Sequence, residues 1–383
     1  MKKIQLTCAH AIVKYLISQK ILVDGKKLPL FAGAFGIFGH GNVACLGQAL
    51  EENKKELPTW RGHHEQNMAL TGIAFSRAKR RKQIFIATSS VGPGSTNMLT
   101  AAAVAMSNRL PMLFLPGDTY ANRMPDPVLQ QVEHFNNPNI TQNDAFKYVT
   151  RYFDRITRPE QILQTFPQAI QTMIDPADCG PACISLSQDV QGETFDYPEE
   201  FFKERVHSIR RPRPDDYQIK KAAEAIKSSK NPIIISGGGV FYSDAMVELS
   251  DFAKKHNIPV TQTVMGYSTM KRDHSHFLGP IGGLGGKAAN NMAKKTDLAI
   301  AVGTKLADFT TGSWANFENP NFKLVSINAA RFDANKHMAQ AVIGDAKVSL
   351  SELSLVLGSW KAEDSWNKKA QSELKSWNEY VDK

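Results

Sequence analysis

The chain has 383 residues, of which 42% are hydrophobic and 22% are charged, and its formal net charge is +9. This length exceeds one ordinary hydrophobic core, so we expect two or three globular domains. The positive charge permits an anionic partner, but the basic residues are scattered and are not interleaved with aromatic side chains, which argues against nucleic-acid binding. No stretch approaches the roughly 18 consecutive apolar residues of a membrane span.

Cysteine usage and the N-terminal segment indicate a reducing compartment. The four cysteines are Cys8, Cys45, Cys179 and Cys183. They are too few and too dispersed for a disulfide framework, and no second pair or nearby histidine completes a zinc site. His10 and Lys14 interrupt the apolar run near the N-terminus, which therefore fits an amphipathic helix better than a secretory signal. We expect reduced thiols that form no zinc site, and a cytoplasmic protein.

Helices and strands are predicted to alternate through the first third of the chain. The predicted elements are a helix over Leu6–Leu22, a strand over Leu30–Phe38, a helix over Val43–Glu51, a strand over Ile84–Thr88, a helix over Thr96–Ser107 and a strand over Met112–Leu115. This alternation predicts a parallel α/β sheet whose ligands bind beyond the carboxyl ends of the strands. His40 lies between two glycines in the turn after the first strand, where the backbone can approach a ligand, although a tight turn explains the glycines equally well.

Glu65 stands at the head of another predicted helix. Counting forward from it, the small and apolar residues on one helical face are Met68, Ala69, Gly72, Ile73 and Ser76. A carboxylate at the head of a buried stripe costs free energy unless it is paired or protonated. The residues alone leave two interpretations open, a structural acid satisfied by backbone N–H groups and a functional acid.

The rest of the first half is less regular. Thr119–Asn143 is polar and proline-rich, which is typical of an irregular segment that lines a site. Asp144–Ile156 and Pro159–Ile174 are predicted to be helical, the latter with proline at its first position. A strand over Cys183–Leu186 is predicted to complete the sheet.

A change in composition marks a linker at residues 196–214, which separates a first domain (1–195) from a second α/β domain (215–358). The second domain contains predicted helices over Tyr217–Ser228 and Ser243–His256 and predicted strands over Pro232–Ser236, Pro259–Gln262, Leu298–Val302 and Leu324–Ile327. Its glycine runs at 237–239 and 279–286 either cradle phosphate or let helices approach the sheet. Residues 359–383 form an amphipathic tail, and Trp366 and Trp377 on one helical face predict a surface for it to cover.

Several segments together resemble the thiamine-diphosphate-dependent enzymes of the acetolactate synthase type. The general resemblance lies in HHEQNMA around Glu65 and in TSSVGPGSTNMLTA at 88–101. A more specific resemblance is to a branch of this family that acts in myo-inositol catabolism. It lies in the segments IFGHGNVACLGQAL (37–50), PDPVLQQ (125–131), NDAFKYVTRYFDRITRPEQ (143–161) and SQDVQGE (187–193). The resemblance implies two doubly wound parallel-sheet domains, a pyrimidine-binding domain and a central Rossmann-like domain.

The resemblance also implies an activity and the residues that perform it. The branch uses thiamine diphosphate to hydrolyse a carbon–carbon bond of a cyclic diketone, a trihydroxycyclohexane-1,2-dione, to open-chain 5-deoxy-D-glucuronate. By this resemblance Glu65 hydrogen-bonds the pyrimidine ring of the cofactor and so favours deprotonation of its thiazolium carbon. Gly92, Gly94 and Asn97 lie beside the cofactor. His40 is a proton shuttle or a substrate contact, with a structural turn histidine as the alternative.

One family signature is absent from the sequence. The domain that binds the diphosphate through Mg²⁺ carries Gly-Asp-Gly followed by paired asparagines, whereas Gly117-Asp118 and Gly344-Asp345 both lack the second glycine. We therefore expect thiamine diphosphate and Mg²⁺ to need a domain that is on a separate chain or was lost by truncation, with the 359–383 tail leading towards it. We also expect a homo-oligomer or such a partner chain. The alternatives are a non-catalytic remnant or regulatory subunit and a carboligase that contains FAD.

Overall fold

The computed structural model describes residues 2–383 and divides the chain into two compact units. The first unit extends to Ile209, and the second unit spans Arg210–Lys383. Each unit is built on a parallel β-sheet with helices packed against it, which confirms the predicted α/β fold class. Within residues 2–383, none of the helices combines the length and the hydropathy needed to cross a membrane.

The first unit contains twelve strands in its described part. They are β1 (Lys3–Thr7), β2 (Gln19–Val23), β3 (Lys26–Pro29), β4 (Phe31–Ile37), β5 (Thr59–Arg61), β6 (Ile84–Ser89), β7 (Leu113–Phe114), β8 (Gly117–Asp118), β9 (Tyr152–Ile156), β10 (Ala182–Ser187), β11 (Thr194–Pro198) and β12 (Arg205–His207). The main sheet has the order β5-β4-β6-β7-β10-β8, and β9 also pairs with β10. All of its pairs are parallel, so the loops after β4 and β6 meet at one edge.

Helices cover this sheet. They are α1 (Cys8–Ser18), α2 (Gly39–Asn42), α3 (Gln48–Glu52), α4 (Glu65–Ala78), α5 (Pro93–Thr96), α6 (Leu99–Asn108), α7 (Ile162–Ile174) and α8 (Gln188–Gly192), with a π-helical turn at Val43–Gly47 and 3₁₀ turns at Gln142–Tyr148, Pro159–Gln161 and Glu199–Phe202. The buried face of α4 consists of the five residues predicted for it, Met68, Ala69, Gly72, Ile73 and Ser76. This helix therefore presents its small side chains to the sheet and begins at Glu65.

The prediction of one helix over Leu6–Leu22 is wrong. Only Cys8–Ser18 is helical, because Thr7 caps its N-terminus by accepting a hydrogen bond from the backbone N–H of His10 at 3.3 Å. The residues that follow form a hairpin of β2 and β3. Asp24 and Gly25 both have positive φ, as the two-residue turn of such a hairpin requires. The turn preference of the Asp-Gly dipeptide therefore determined the structure of this segment, and the helical spacing of its apolar residues did not.

The prediction of a helix over Asp144–Ile156 is also wrong. A 3₁₀ turn ends at Tyr148, and Tyr152–Ile156 is β9, which pairs with β10 over five residues. Aromatic and β-branched residues favour a strand here, and the free edge of β10 supplies its partner. Arg155 on β9 is further held by an ion pair with buried Asp118, at 2.8 Å from Nε to Oδ2.

The stretch predicted as a linker at 196–214 packs on the first unit for most of its length. β11 pairs antiparallel with β1, and β12 pairs parallel with β2. Tyr197 on β11 is fully buried and donates a hydrogen bond from its hydroxyl to the Pro159 carbonyl at 3.1 Å. Burial of this large side chain orders a segment whose prolines had suggested irregular chain.

The second unit has a six-stranded sheet with all strands parallel. Its strands are β13 (Pro232–Ser236), β14 (Val260–Gln262), β15 (Phe277–Pro280), β16 (Leu298–Val302), β17 (Lys323–Asn328) and β18 (Gln340–Ile343). Their order β15-β14-β13-β16-β17-β18 is that of a doubly wound Rossmann-like sheet, with the reversal between β13 and β16. Its helices are α9 (Asp216–Lys227), α10 (Gly238–Tyr242), α11 (Met246–His256), α12 (Lys287–Lys295), α13 (Asp308–Thr311), α14 (Arg331–Ala334), α15 (Ala346–Leu357) and α16 (Asp364–Val381), with 3₁₀ turns at Val264–Gly266 and Lys336–Met338.

The amphipathic tail forms α16 and packs on the second unit itself. Trp366 and Ala370 are buried in a cluster with residues of the sheet. The indole Nε1 of Trp366 donates a hydrogen bond to the Pro232 carbonyl at 2.8 Å. Trp377 lies against Gly286, which has no side chain to keep the indole away. The surface that the tryptophans cover therefore lies within the same unit.

Candidate active site

Glu65 is the first residue of α4 and is half-buried. His64 precedes it in an extended conformation, and the imidazole Nδ1 of His64 accepts a hydrogen bond from the backbone N–H of Asn67 at 3.4 Å. Because His64 provides the cap, the carboxylate of Glu65 is not used as one. The interpretation of Glu65 as a capping acid is therefore not supported.

Asn97 holds one oxygen of this carboxylate. Its side-chain Nδ2 donates a hydrogen bond to Glu65 Oε2 at 2.7 Å and lies 3.5 Å from His64 Nε2. Within residues 2–383 no donor is bonded to the other oxygen, Oε1. The contact fixes the orientation of the carboxylate and leaves one acceptor oxygen available for a ligand.

The two glycines of the Gly-Pro-Gly turn have different roles. Gly92 has φ of +72°, and a methyl group built on it would lie 2.0 Å from the carbonyl oxygen of Gln130. Gly94 has an ordinary φ, and a methyl group built on it would lie 3.4 Å from Glu65 Oε1. Gly92 therefore shapes the turn against the Thr119–Asn143 segment, whereas Gly94 keeps the space in front of the free carboxylate oxygen open.

His40 lies exposed in α2, the short helix after β4. Its two glycine neighbours pack on the turn after β6, since methyl groups built on Gly39 and Gly41 would lie 2.6 Å from Ser90 Oγ and 3.2 Å from the Val91 nitrogen. The two turns are thus in contact at the carboxyl edge of the sheet. The structure places His40 on the turn that adjoins the one carrying Gly92 and Gly94, in an accessible position.

Asn42 is a buried residue of this edge that the sequence did not single out for a role. Its Nδ2 donates to Thr88 Oγ1 at 2.8 Å and to the Ser89 carbonyl at 2.9 Å, and its Oδ1 accepts from Gln191 Nε2 at 2.9 Å. These bonds tie α2 to β6 and to α8. The position of Asn42 directly after the Gly-His-Gly turn was the only sign of this role in the sequence, since the hydrogen-bond partners of Asn42 are distant in the chain.

The glycine runs of the second unit use their backbone N–H groups internally. The N–H groups of Gly237 and Gly239 donate to the carbonyls of Val302 and Gly303, and that of Gly283 donates to the Phe309 carbonyl. Methyl groups on Gly237 or Gly239 would lie 2.5 Å from atoms of residue 303. These glycines therefore allow close packing of the backbone. Because their N–H groups are already bonded within the protein, they are not free to bind phosphate, and the packing interpretation is favoured.

Metal binding finds no support in the described residues. Among residues 2–383, no group of three or more His, Cys, Asp or Glu side chains is placed to hold a metal ion. All four cysteines are free, and burial raises the pKa of the Cys8 thiol to about 12. At neutral pH this thiol is therefore protonated, which makes it a poor nucleophile and a poor ligand.

Comparison with known proteins gives two family matches. Residues 31–137 match the thiamine pyrophosphate enzyme N-terminal TPP binding domain, and residues 219–353 match the thiamine pyrophosphate enzyme central domain. The first match contains Glu65 and the Gly-Pro-Gly turn, and the second contains the doubly wound sheet. The chain belongs to the thiamine pyrophosphate enzyme family. The family membership expected from the sequence is confirmed.

Relatives within this family share nearly half of the residues. The protein named 3D-(3,5/4)-trihydroxycyclohexane-1,2-dione hydrolase is 47% identical over 98% of this chain in Clostridium perfringens strain 13, 49% identical over 92% in Clostridium tetani, and 46% identical over 97% in Geobacillus thermodenitrificans. The aligned part is 59%, 55% and 59% of those proteins, respectively. The chain thus spans somewhat over half the length of the relatives it matches.

The residues present fit one part of thiamine diphosphate and not the other. A half-buried carboxylate with a free oxygen suits the ring nitrogen of the aminopyrimidine, and Gly94 leaves room beside it. The diphosphate requires a metal or a cluster of free donors. The described residues around the turn offer neither, since α5 is a single turn and no metal ligand set is formed.

Proposed function

We propose that this chain contributes the pyrimidine-binding part of a thiamine-diphosphate site that hydrolyses a carbon–carbon bond of a trihydroxylated cyclohexane-1,2-dione. The observation that carries this conclusion is the carboxylate of Glu65, with Oε2 held by Asn97 and Oε1 left open beside Gly94. The names of the relatives support the substrate class, because proteins 46–49% identical to this chain are hydrolases of such a dione.

In this proposal, some side chains at the edge of the sheet orient the cofactor and others transfer protons. When bound, thiamine diphosphate supplies the electron sink for cleavage of the carbon–carbon bond. Glu65 accepts a hydrogen bond from the pyrimidine at Oε1 and shares a proton there, while Asn97 prevents the carboxylate from rotating away. The accessible imidazole of His40 transfers a proton to or from the hydroxylated diketone, and water completes the hydrolysis.

The diphosphate and Mg²⁺ belong to other protein groups. The described residues form no metal ligand set, so we place these parts of the cofactor on a partner chain or on a further domain. We also propose a homo-oligomer, in which the open edge with Glu65 faces such a domain of a second copy. The four free thiols support a cytoplasmic location.

Calorimetry with Glu65→Gln tests this function. The chain is titrated with thiamine diphosphate and Mg²⁺, alone and mixed with the diphosphate-binding half of a relative, and dione consumption is followed in the mixture. We expect binding and turnover in the mixture, and a loss of turnover on the order of 10²-fold or more with Glu65→Gln, because the amide cannot share a proton. Glu51→Gln, on the exposed surface of α3, is the matched control and keeps full activity.

Three outcomes would contradict this function. Absence of cofactor binding in every mixture would favour a non-catalytic remnant or a regulatory subunit. Undiminished turnover with Glu65→Gln would show that another group activates the cofactor. A flavin absorbance band in the purified protein would instead indicate the FAD-containing carboligase, which the internally bonded glycine turns do not favour.

A further inference from the structure

Asn143 is fully buried beneath the Gly-Pro-Gly turn. It lies in the 3₁₀ turn Gln142–Tyr148, within the NDAF segment, to which neither the proposed chemistry nor the sequence gave a role. Its Nδ2 donates hydrogen bonds to the Gly117 carbonyl at 2.9 Å and to Ser185 Oγ at 2.7 Å. The amide is thereby anchored to β8 and β10 of the main sheet.

The remaining polar atom of Asn143 reaches the turn that faces Glu65. Asn143 Oδ1 accepts a short hydrogen bond from the hydroxyl of Ser95, which is itself fully buried. Ser95 belongs to α5, and Asn97 follows two residues later with its backbone N–H bonded to the Pro93 carbonyl at 3.0 Å. The bond from the Ser95 hydroxyl joins the turn to Asn143 and, through Asn143, to the sheet, whereas the hydroxyl of Thr96 bonds within the turn to the Pro93 carbonyl.

The anchor beneath Asn143 is rigid because it is part of a buried charged network. Ser185 Oγ donates to Asp118 Oδ2 at 2.5 Å, and Asp118 is fully buried. The same Oδ2 accepts from Arg155 Nε at 2.8 Å and from Thr141 Oγ1 at 3.1 Å. Hydrogen bonds to a buried carboxylate cost free energy to break, since each lost bond leaves the charge less well compensated. Movement of Asn143 therefore requires several bonds to break at once.

We propose that Asn143 is a positioning residue for the proposed reaction, acting through Ser95 to set the contact between Asn97 and Glu65. The inference rests on the proposed function for its purpose, and on the chain of hydrogen bonds from Asn143 to Ser95 and from Asn97 to Glu65 for its geometry. Without the bond from Ser95, one-turn α5 loses its side-chain hydrogen bond to Asn143, and with it the connection to the sheet that Asn143 provides. The Asn97 amide then samples positions from which Glu65 Oε2 is out of reach, and the carboxylate loses its fixed orientation.

Nuclear magnetic resonance on the full chain tests this role without any cofactor. Protein labelled with ¹⁵N at asparagine gives the side-chain amide signal of Asn97, which is assigned by its loss in Asn97→Ala. Its frequency in Glu65→Ala defines the state in which the hydrogen bond is absent. We expect Ser95→Ala and Asn143→Ala each to move the signal at least half of the way from the wild-type frequency to that reference.

The matched control is Thr165→Val, which removes the hydrogen bond of a buried hydroxyl to half-buried Asp154 elsewhere in the first unit. It is expected to lower the unfolding midpoint about as much as Ser95→Ala does and to leave the Asn97 signal at its wild-type frequency. A Ser95→Ala protein that is folded by circular dichroism and keeps the wild-type frequency would overturn the inference. If Ser95→Ala does not fold, the signal in Asn143→Ala decides in the same way, and Ser95→Gly provides a third reading.

The outcome is independent of the proposed function. The signal reports the contact between Asn97 and Glu65 whether or not thiamine diphosphate binds. A shifted signal in Ser95→Ala together with absent cofactor binding would establish the positioning contact and contradict the function. An unshifted signal together with normal turnover would contradict only the positioning role.

Discussion

At the scale of single residues, the site is shaped by what Gly92 and Gly94 lack. Gly92 combines a left-handed φ with a carbonyl oxygen at 2.0 Å from the position of a Cβ atom. Gly94 has neither constraint, and its neighbour at 3.4 Å is the free oxygen of Glu65. The sequence motif marks both glycines equally. Their backbone angles and neighbours show that one serves the fold and the other serves access to the carboxylate.

Alanine substitutions separate these two roles. Gly92→Ala is expected to lower the free energy of unfolding of the first unit by more than about 2 kcal/mol, because the left-handed backbone costs an L-residue about 1–2 kcal/mol and the contact with Gln130 adds to it. Gly94→Ala is expected to cost under about 1 kcal/mol and to weaken binding of an aminopyrimidine. Urea unfolding measures the first effect and calorimetry the second. Equal losses of stability in the two variants would contradict this division.

The carboxylate itself was predictable from the sequence, whereas its neighbours were not. The place of Glu65 at the head of α4 follows from the local helical spacing of the buried stripe that begins at Met68, whereas its role was expected from the family resemblance. The hydrogen bond from Asn97 spans 32 residues, and the one from Ser95 to Asn143 spans 48 residues. Such partners depend on which strands are adjacent, and a single sequence does not state strand order.

At the scale of elements, the terminal helix α16 shows how one buried side chain secures a whole segment. Trp366 is 4% exposed, packs in the cluster of the second unit and donates its indole hydrogen bond to Pro232. Trp377 lies on the same helical face but is only partly buried. The contribution of the two tryptophans to docking of the helix therefore differs although their sequence pattern is the same.

Replacement of each tryptophan by alanine tests this difference. Trp366→Ala is expected to destabilise the second unit by about 3–5 kcal/mol, because it leaves a cavity and an unpaired carbonyl. Trp377→Ala is expected to cost less than half of that, since part of its surface is already in contact with water. Denaturant unfolding followed by circular dichroism gives both values. A larger loss for Trp377→Ala would mean that the end of the helix, and not its start, secures the docking.

At the scale of the whole molecule, three histidines of the second unit have lowered pKa values. Desolvation by burial lowers the pKa of His256 and of His274, and desolvation together with the nearby charges of His274 and Lys254 lowers the pKa of His276 to about 4. In the unfolded chain each of these residues has a pKa near 6.5. The unfolded state therefore binds more protons than the folded state between these values. Stability is complete above about pH 6.5 and decreases as the pH falls towards 4.

Acid sensitivity of the second unit follows from these shifts. The free energy of unfolding, obtained from urea titrations between pH 7.5 and pH 4.5, is expected to fall with a slope of up to about 1.4 kcal/mol per pH unit for each histidine. His276→Gln should flatten this dependence, since glutamine retains a donor for Asn257 but takes up no proton. His337→Gln, the same substitution at an exposed position, is the control. An unaltered slope in His276→Gln would assign the acid sensitivity to other groups.

The sequence by itself determined the alternation of helices and strands, the start and buried face of α4, the glycine turns at the ends of β4 and β6, and the family. These features depend on local spacing, on caps and on residues with special backbone angles, which neighbouring positions encode. The tertiary structure decided that residues 152–156 form β9, that the tail packs on its own unit, and that Asn97 and Asn143 meet the groups they hold. Each of these outcomes depends on a surface or a strand edge contributed by residues far away in the chain, so no local sequence pattern could predict it.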